Sequence, residues 1–134
     1  MWRIRRKFLL SIFLIYFCSS VYCQNKINNT IECSWLEYDY GVLNIGETAS
    51  CTLVIKNISD HRFIIEQIIN GCSCISAEIN KKCLRPKGVA RIKIKFNSAG
   101  KSPGEIYQNI AIYTSDEKFY SFIIKATLNN EVEQ

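Results

Sequence analysis

The sequence holds one histidine, His61, in 134 residues. Imidazole is the commonest metal ligand and the usual general base near neutral pH. Its scarcity argues against histidine-rich metal sites and triad-type hydrolases. His61 itself sits beside Asp60 in a run of turn formers, with no serine or cysteine nucleophile in a recognisable arrangement nearby. Helical periodicity is also missing. No segment sustains apolar residues at spacings of three and four, which argues against bundles and helix-covered parallel sheets. Cys-x-x-Cys, the usual redox spacing, does not occur. There are no repeats and no low-complexity tracts. No apolar run approaches the roughly 20 residues that a membrane-spanning helix needs.

The longest such run, Phe8 to Cys18, is broken by Ser11 and reaches about half that length. It follows Met1-Trp2-Arg3-Ile4-Arg5-Arg6-Lys7 and precedes Ser19-Ser20-Val21-Tyr22-Cys23-Gln24. A basic start, a short apolar core and small residues near the end predict a secretory signal over 1–23, with Gln24 as the new N-terminus. The protein is therefore expected to be exported, to the periplasm or cell envelope. The rival reading is lipidation of Cys23, the one route by which a membrane becomes a partner; the bulky Tyr22 ahead of it argues against this. Four of the 17 basic residues (Arg3, Arg5, Arg6 and Lys7) lie in the signal, so the remaining 13 nearly balance 12 acidic ones, and the mature charge is about +1. Nucleic acid is accordingly not an expected partner, since that reading needs a concentrated basic footprint. The 111 residues left after cleavage suit one small domain.

Residues 24–30 read as a mobile polar lead-in, 31–130 as the domain and 131–134 as a tail. From Ile31 the chain divides into short β-patterned runs. The first covers 31–40, and a turn-rich edge segment follows at 42–47. Over 48–57, Ala49, Cys51, Leu53 and Ile55 share one face. Over 62–69, Phe63 and Ile65 share a face, and the parity then shifts near Glu66-Gln67, as a bulge would require. Residues 90–97 alternate Ile92, Ile94 and Phe96 inward against Arg91, Lys93 and Lys95 outward. Residues 105–114 and 119–128 complete the set, the last with Tyr120, Phe122, Ile124, Ala126 and Leu128 on one side. About seven short strands in some 100 residues predict an all-β, immunoglobulin-like antiparallel sandwich.

Two of the seven cysteines fall in the signal, leaving Cys33, Cys51, Cys72, Cys74 and Cys83. An odd number leaves at least one thiol free or paired between chains. Gly71-Cys72-Ser73-Cys74 is the most informative group, because residues i and i+2 of an extended strand point the same way. Both sulfurs on one face can form a structural bridge, hold Cu(I) or Zn(II) with Cys83 as a third ligand, or act as a thiol pair. The structural reading leads. Cys51 shares the inward phase of Leu53 and Ile55, as a core thiol or half of an inter-sheet bridge. Cys33 and Cys83 are placed to staple an edge. Ser115-Asp116-Glu117 reads as a solvated acidic turn, Arg91, Lys93 and Lys95 as the wet side of a strand, and Trp35, Tyr38 and Tyr40 as core or sheet-face aromatics. Asn28-Asn29-Thr30 and Asn57-Ile58-Ser59 match the glycosylation acceptor pattern.

These pieces together resemble the exported bacterial family known as domain of unknown function 1573. The resemblance rests on Tyr38-Asp39-Tyr40-Gly41-Val42 and Gly46-Glu47, on Leu53-Val54-Ile55-Lys56-Asn57, and on Phe63-Ile64-Ile65 with Ile68 leading to Cys72-Ser73-Cys74-Ile75. Pro86-Lys87-Gly88, then Ile92, Ile94 and Phe96, then Gly100 and Gly104, continue it. Ser73 stands where the family signature has glycine, and Ile75 where it has threonine. The resemblance implies an immunoglobulin-like sandwich, similar in style to PapD-like modules, in the cell envelope. It implies no activity. The expectation is thus a non-enzymatic structural or protein-interaction module without catalytic, metal or cofactor residues. The alternative is an envelope thiol protein centred on Cys72 and Cys74.

Overall fold

Strict alternation of apolar and polar side chains builds the long strands of this protein, whose computed structural model describes residues 25–130. The expected signal over 1–23, with Cys23, the Gln24 terminus and the tail at 131–134, lies outside the described residues. Ten strands form within them: β1 (Asn25–Ile27), β2 (Ile31–Cys33), β3 (Glu37–Asn44), β4 (Thr48–Asn57), β5 (Phe63–Asn70), β6 (Ile75–Ile79), β7 (Cys83–Leu84), β8 (Val89–Asn97), β9 (Gly104–Thr114) and β10 (Phe119–Asn129). They make two five-stranded sheets, ordered β1-β2-β4-β8-β6 and β3-β10-β9-β5-β7. No helix among the described residues is long and apolar enough to cross a membrane.

The inner faces are those predicted by parity. Cys51 lies opposite Ile94 and Leu53 opposite Ile92 across β4 and β8, and all four are buried. In the second sheet Tyr120 pairs with Ile112 and Phe122 with Ile110, again buried. Each fully buried Ile or Phe contributes about 1.5–3 kcal/mol by leaving water. The register of β5 against β9 shifts between Ile65 and Gln67, at the expected bulge. The bulge keeps Ile65 buried and turns Ile68 toward the core, while Ile69 faces solvent.

Several boundaries differ from the sequence reading. The run at 31–40 is two strands, β2 and β3, in different sheets. The chain crosses between them at Ser34–Leu36, anchored by Ser34 N–H to the Val54 carbonyl and Ile123 N–H to the Leu36 carbonyl. The edge segment at 42–47 begins as a continuation of β3, which bends through Gly41 at a positive φ of 75°. Strand β3 runs parallel to β10, so the sandwich is not purely antiparallel. The polar lead-in contributes β1, paired with β2 through Lys26 opposite Glu32. Strands β6 and β7, five and two residues long, were not anticipated.

Candidate functional site

Cys72 and Cys74 are joined as a disulfide, with Cα atoms 5.2 Å apart. They lie in the turn between β5 and β6, not in an extended strand, so the turn and not strand alternation brings the sulfurs together. Gly71 sets up this turn. Its N–H donates to the Asn109 carbonyl of β9 at 2.8 Å, and a Cβ there would meet that oxygen at 2.7 Å. Ile75 N–H then donates to the Cys72 carbonyl, which returns the chain into β6. Both cysteines are half-buried and pack against the core.

The turn links the margins of the two sheets. Strand β6 is the last strand of its sheet, and β7 pairs with Phe63 and Ile64 at the start of β5, where Ile65 N–H also donates to the Lys82 carbonyl at 2.8 Å. The rest of β5 faces β6 across a seam. At the turn the seam is closed by Asn70 Nδ2 donating to the Ile75 carbonyl at 3.2 Å. Between the turn and the Ile65–Lys82 bond lies a cleft of about 180 Å³ lined by Ile65, Ile68, Ala77 and Ile79, with Glu66 and Lys82 also in its lining.

The other cysteines stay apart from this turn. Cys83 lies opposite Ile64 at the far end of β5, and Ile64 precedes Cys72 by eight residues, about 25 Å at the usual rise of a strand. It therefore does not complete a ligand set with Cys72 and Cys74. No group of three His, Cys, Asp or Glu residues suited to a metal occurs among the described residues. Cys33, Cys51 and Cys83 are free thiols, so the edge staples and the inter-sheet bridge are not formed. Burial pushes the Cys33 and Cys51 thiols up, away from the reactive thiolate. Cys51 is held at 3.1 Å from the Tyr40 hydroxyl, which donates to the Ile94 carbonyl at 3.2 Å.

His61 lies between two carboxylates, 3.4 Å from Asp60 and 3.4 Å from Asp116. Asp116 is not the solvated tip expected. It also accepts from Thr114 and pairs with Lys118 at 3.2 Å, and Lys118 in turn reaches Thr30 at 3.0 Å. Partial burial acts to raise the Asp116 carboxyl, but hydrogen bonds from Thr114, Lys118 and His61 outweigh it and hold the group below its ordinary value. The cluster ties the turn after β4 to the turn after β9. Asn57 is fully buried, donating to the carbonyls of His61 and Leu84 while its Oδ1 accepts from Ser59. That side chain is unavailable as a glycosylation acceptor. Arg91 and Lys93 are exposed on β8, with Lys93 opposite Glu78. Because β8 is interior to its sheet, these cations do not guard an edge.

The aromatics form a file along the opposite seam. Ring centroids are 5.4 Å apart for Trp35 and Tyr38, 5.2 Å for Tyr38 and Tyr40, and 6.2 Å for Tyr40 and Phe96. Trp35 Nε1 donates to the Thr52 carbonyl at 3.0 Å. What sequence reasoning missed is the cleft. Its walls come from strands that no short-range pattern places side by side.

Solved structures with this architecture are diverse. A protein of unknown function from Porphyromonas gingivalis W83 is 20% identical, with a TM-score of 0.63 over 74% of this chain and 46% of that one. The PapD-like domain 7 of human CEP192 is 10% identical, with a TM-score of 0.61 over 81% of this chain and 92% of that domain. The Vibrio cholerae VesB protease is 9% identical, with a TM-score of 0.62 over 74% of this chain and 32% of that one. At these identities the likeness concerns the fold alone, and this chain spans less than half of the first and third of these proteins. No curated protein matches the sequence. The family model described as "Protein of unknown function (DUF1573)" matches residues 31–128, from β2 through the core of β10, and the chain belongs to that family.

Proposed function

We propose that this protein is a non-enzymatic, exported module of the bacterial cell envelope that works by binding other proteins. The observation that carries the reading is the unpaired seam between β5 and β6, which leaves a sheet margin open to strand addition. Export is supported by the basic, apolar and small-residue order of residues 1–23. A disulfide between Cys72 and Cys74 fits the oxidising side of a membrane. The carboxylates and histidine of the Asp116 cluster are engaged in holding two turns together, which supports a structural use for them.

The test is expression of the full chain in a bacterial host with fractionation, intact mass and cross-linking in intact envelopes. The expected result is an envelope protein beginning at Gln24 that cross-links reproducibly to a discrete protein. Unprocessed chain in the cytosol, or no cross-linked partner, overturns the reading. The alternative of an envelope thiol protein predicts two reactive thiols at Cys72 and Cys74 under native conditions. The present reading predicts a closed bridge there.

A further inference from the structure

Hydrogen-bond parity along β6 identifies what the open seam is built to accept. In an antiparallel ladder alternate residues turn both N–H and C=O toward the neighbouring strand, and those between turn them away. The Cys74 carbonyl accepts from Asn97 N–H, and Asn80 N–H donates to the Arg91 carbonyl. These contacts place even-numbered residues of β6 on the β8 side. Ala77 and Ile79 therefore direct their backbone groups into the seam. On the facing margin Gly71 N–H donates to Asn109, which puts odd-numbered residues after the bulge on the β9 side and leaves Ile68 facing the seam. Neither margin has a ladder partner at these residues: β6 pairs with β8, and β5 pairs with β9 and, at Phe63 and Ile64, with β7.

We infer that the β5–β6 cleft is a strand-addition site, taking an extended partner segment antiparallel to β6 with aliphatic side chains on alternate residues and an acidic residue at its N-terminal end. The inference rests on the interaction-module reading and names its site. Three features set the ligand chemistry. The unpaired groups of Ala77 and Ile79 require a strand, because only an extended backbone meets them at this spacing. The cleft of about 180 Å³, walled by Ile65, Ile68, Ala77 and Ile79, has room for a branched aliphatic side chain. Exposed Lys81 and Lys82 follow β6 after Asn80, and Glu66 is the acidic residue in the cleft lining, so the end of the cleft at Lys82 carries an excess cation. A segment antiparallel to β6 brings its N-terminal end there. The other end is shut by the disulfide turn and Asn70, which fixes where the added strand stops.

The test titrates oxidised, isotope-labelled protein with an acetylated peptide that begins with aspartate and then alternates valine and threonine. Amide shifts are expected at Ala77, Ile79 and Ile68. Ala77→Pro removes one seam-facing N–H without touching the β8 ladder, and is expected to weaken binding about ten-fold or more while β8 amides stay protected. Ala77→Leu fills the cleft, keeps the N–H, and is expected to weaken binding as well, which covers the event that the proline variant does not fold. No shift at millimolar peptide, or shifts confined to Tyr107 and Phe119 on the outer face, overturns the assignment. Dimerisation of the protein abolished by Ala77→Pro also overturns it, by making a second copy the occupant. Envelope cross-linking separates the two levels. A partner retained by Ala77→Pro sinks the cleft but not the module, whereas no partner for the native chain sinks the module.

Discussion

The two lateral seams of this sandwich are closed to different degrees. Along β3 the sheets are joined by Trp35, Tyr38, Tyr40 and Phe96 in edge and stacked contact, with the Tyr40 hydroxyl bonded across to Ile94. Along β5 and β6 the sheets meet at the Cys72–Cys74 turn and the Asn70 side chain, part, and meet again where Ile65 N–H donates to the Lys82 carbonyl. Aromatic rings fill a seam with large rigid area and satisfy their own polar tips. A disulfide across two residues fixes a corner and fills little. The contrast sets a filled margin against one whose strand edge is unpaired. Burial closes the first, and a short covalent loop holds the second in place without covering its backbone.

The largest expected effect tests the closed side. Phe122 is fully buried and meets Trp35 at 6.1 Å, so Phe122→Ala should lower unfolding free energy by about 3–5 kcal/mol in urea titrations. A loss below about 1 kcal/mol would show that the Phe122–Trp35 contact does not anchor the closed side. Breaking the disulfide sharpens the contrast. Its loop is so short that chain entropy gives only about 1.5 kcal/mol, and Cys72→Ala with Cys74→Ala should cost no more than that. The same variant should expose the amides of β6 to faster exchange while leaving β3 unchanged.

Tyr40→Phe probes the closed seam more gently. It removes the donor to Ile94 and the contact to Cys51, for an expected loss of about 1 kcal/mol. Burial and the adjoining Cys51 thiol push the Tyr40 hydroxyl upward, so no tyrosinate absorbance from it should appear below the ordinary tyrosine range. The smallest effect concerns acid. Because Asp116 is held below its ordinary value of 3.8, its contribution is complete above about pH 4 and is lost as pH falls through the lowered value. Asp116→Asn should flatten that part of the stability profile, and an unchanged profile would remove the cluster from the account.

Much of this was legible because long strands carry their own pattern. Cys51, Leu53 and Ile55, then Ile92, Ile94 and Phe96, then Tyr120 through Leu128, needed only a period of two to be assigned to the core. The bulge at Glu66-Gln67 showed itself as a break in that period. The sheet change at Ser34–Leu36 did not, since Cys33, Trp35 and the strand beyond keep an extended pattern while changing layers. Two- and five-residue strands carry too few alternations to be seen, and β6 and β7 exist because β8 and β5 supply their ladders. Cys72 and Cys74 were recognisable as a pair, but their turn was not, because it depends on Gly71 meeting Asn109 across the sheet. The cleft lay beyond any local signal, since its walls belong to different sheets.

Residue-resolved amide hydrogen exchange along β6 tests the open seam most directly. Slow exchange at Ser76, Glu78 and Asn80 alternating with fast exchange at Ala77 and Ile79 is the predicted result. Uniform protection across all five would mean that the margin is already covered, and would contradict the account.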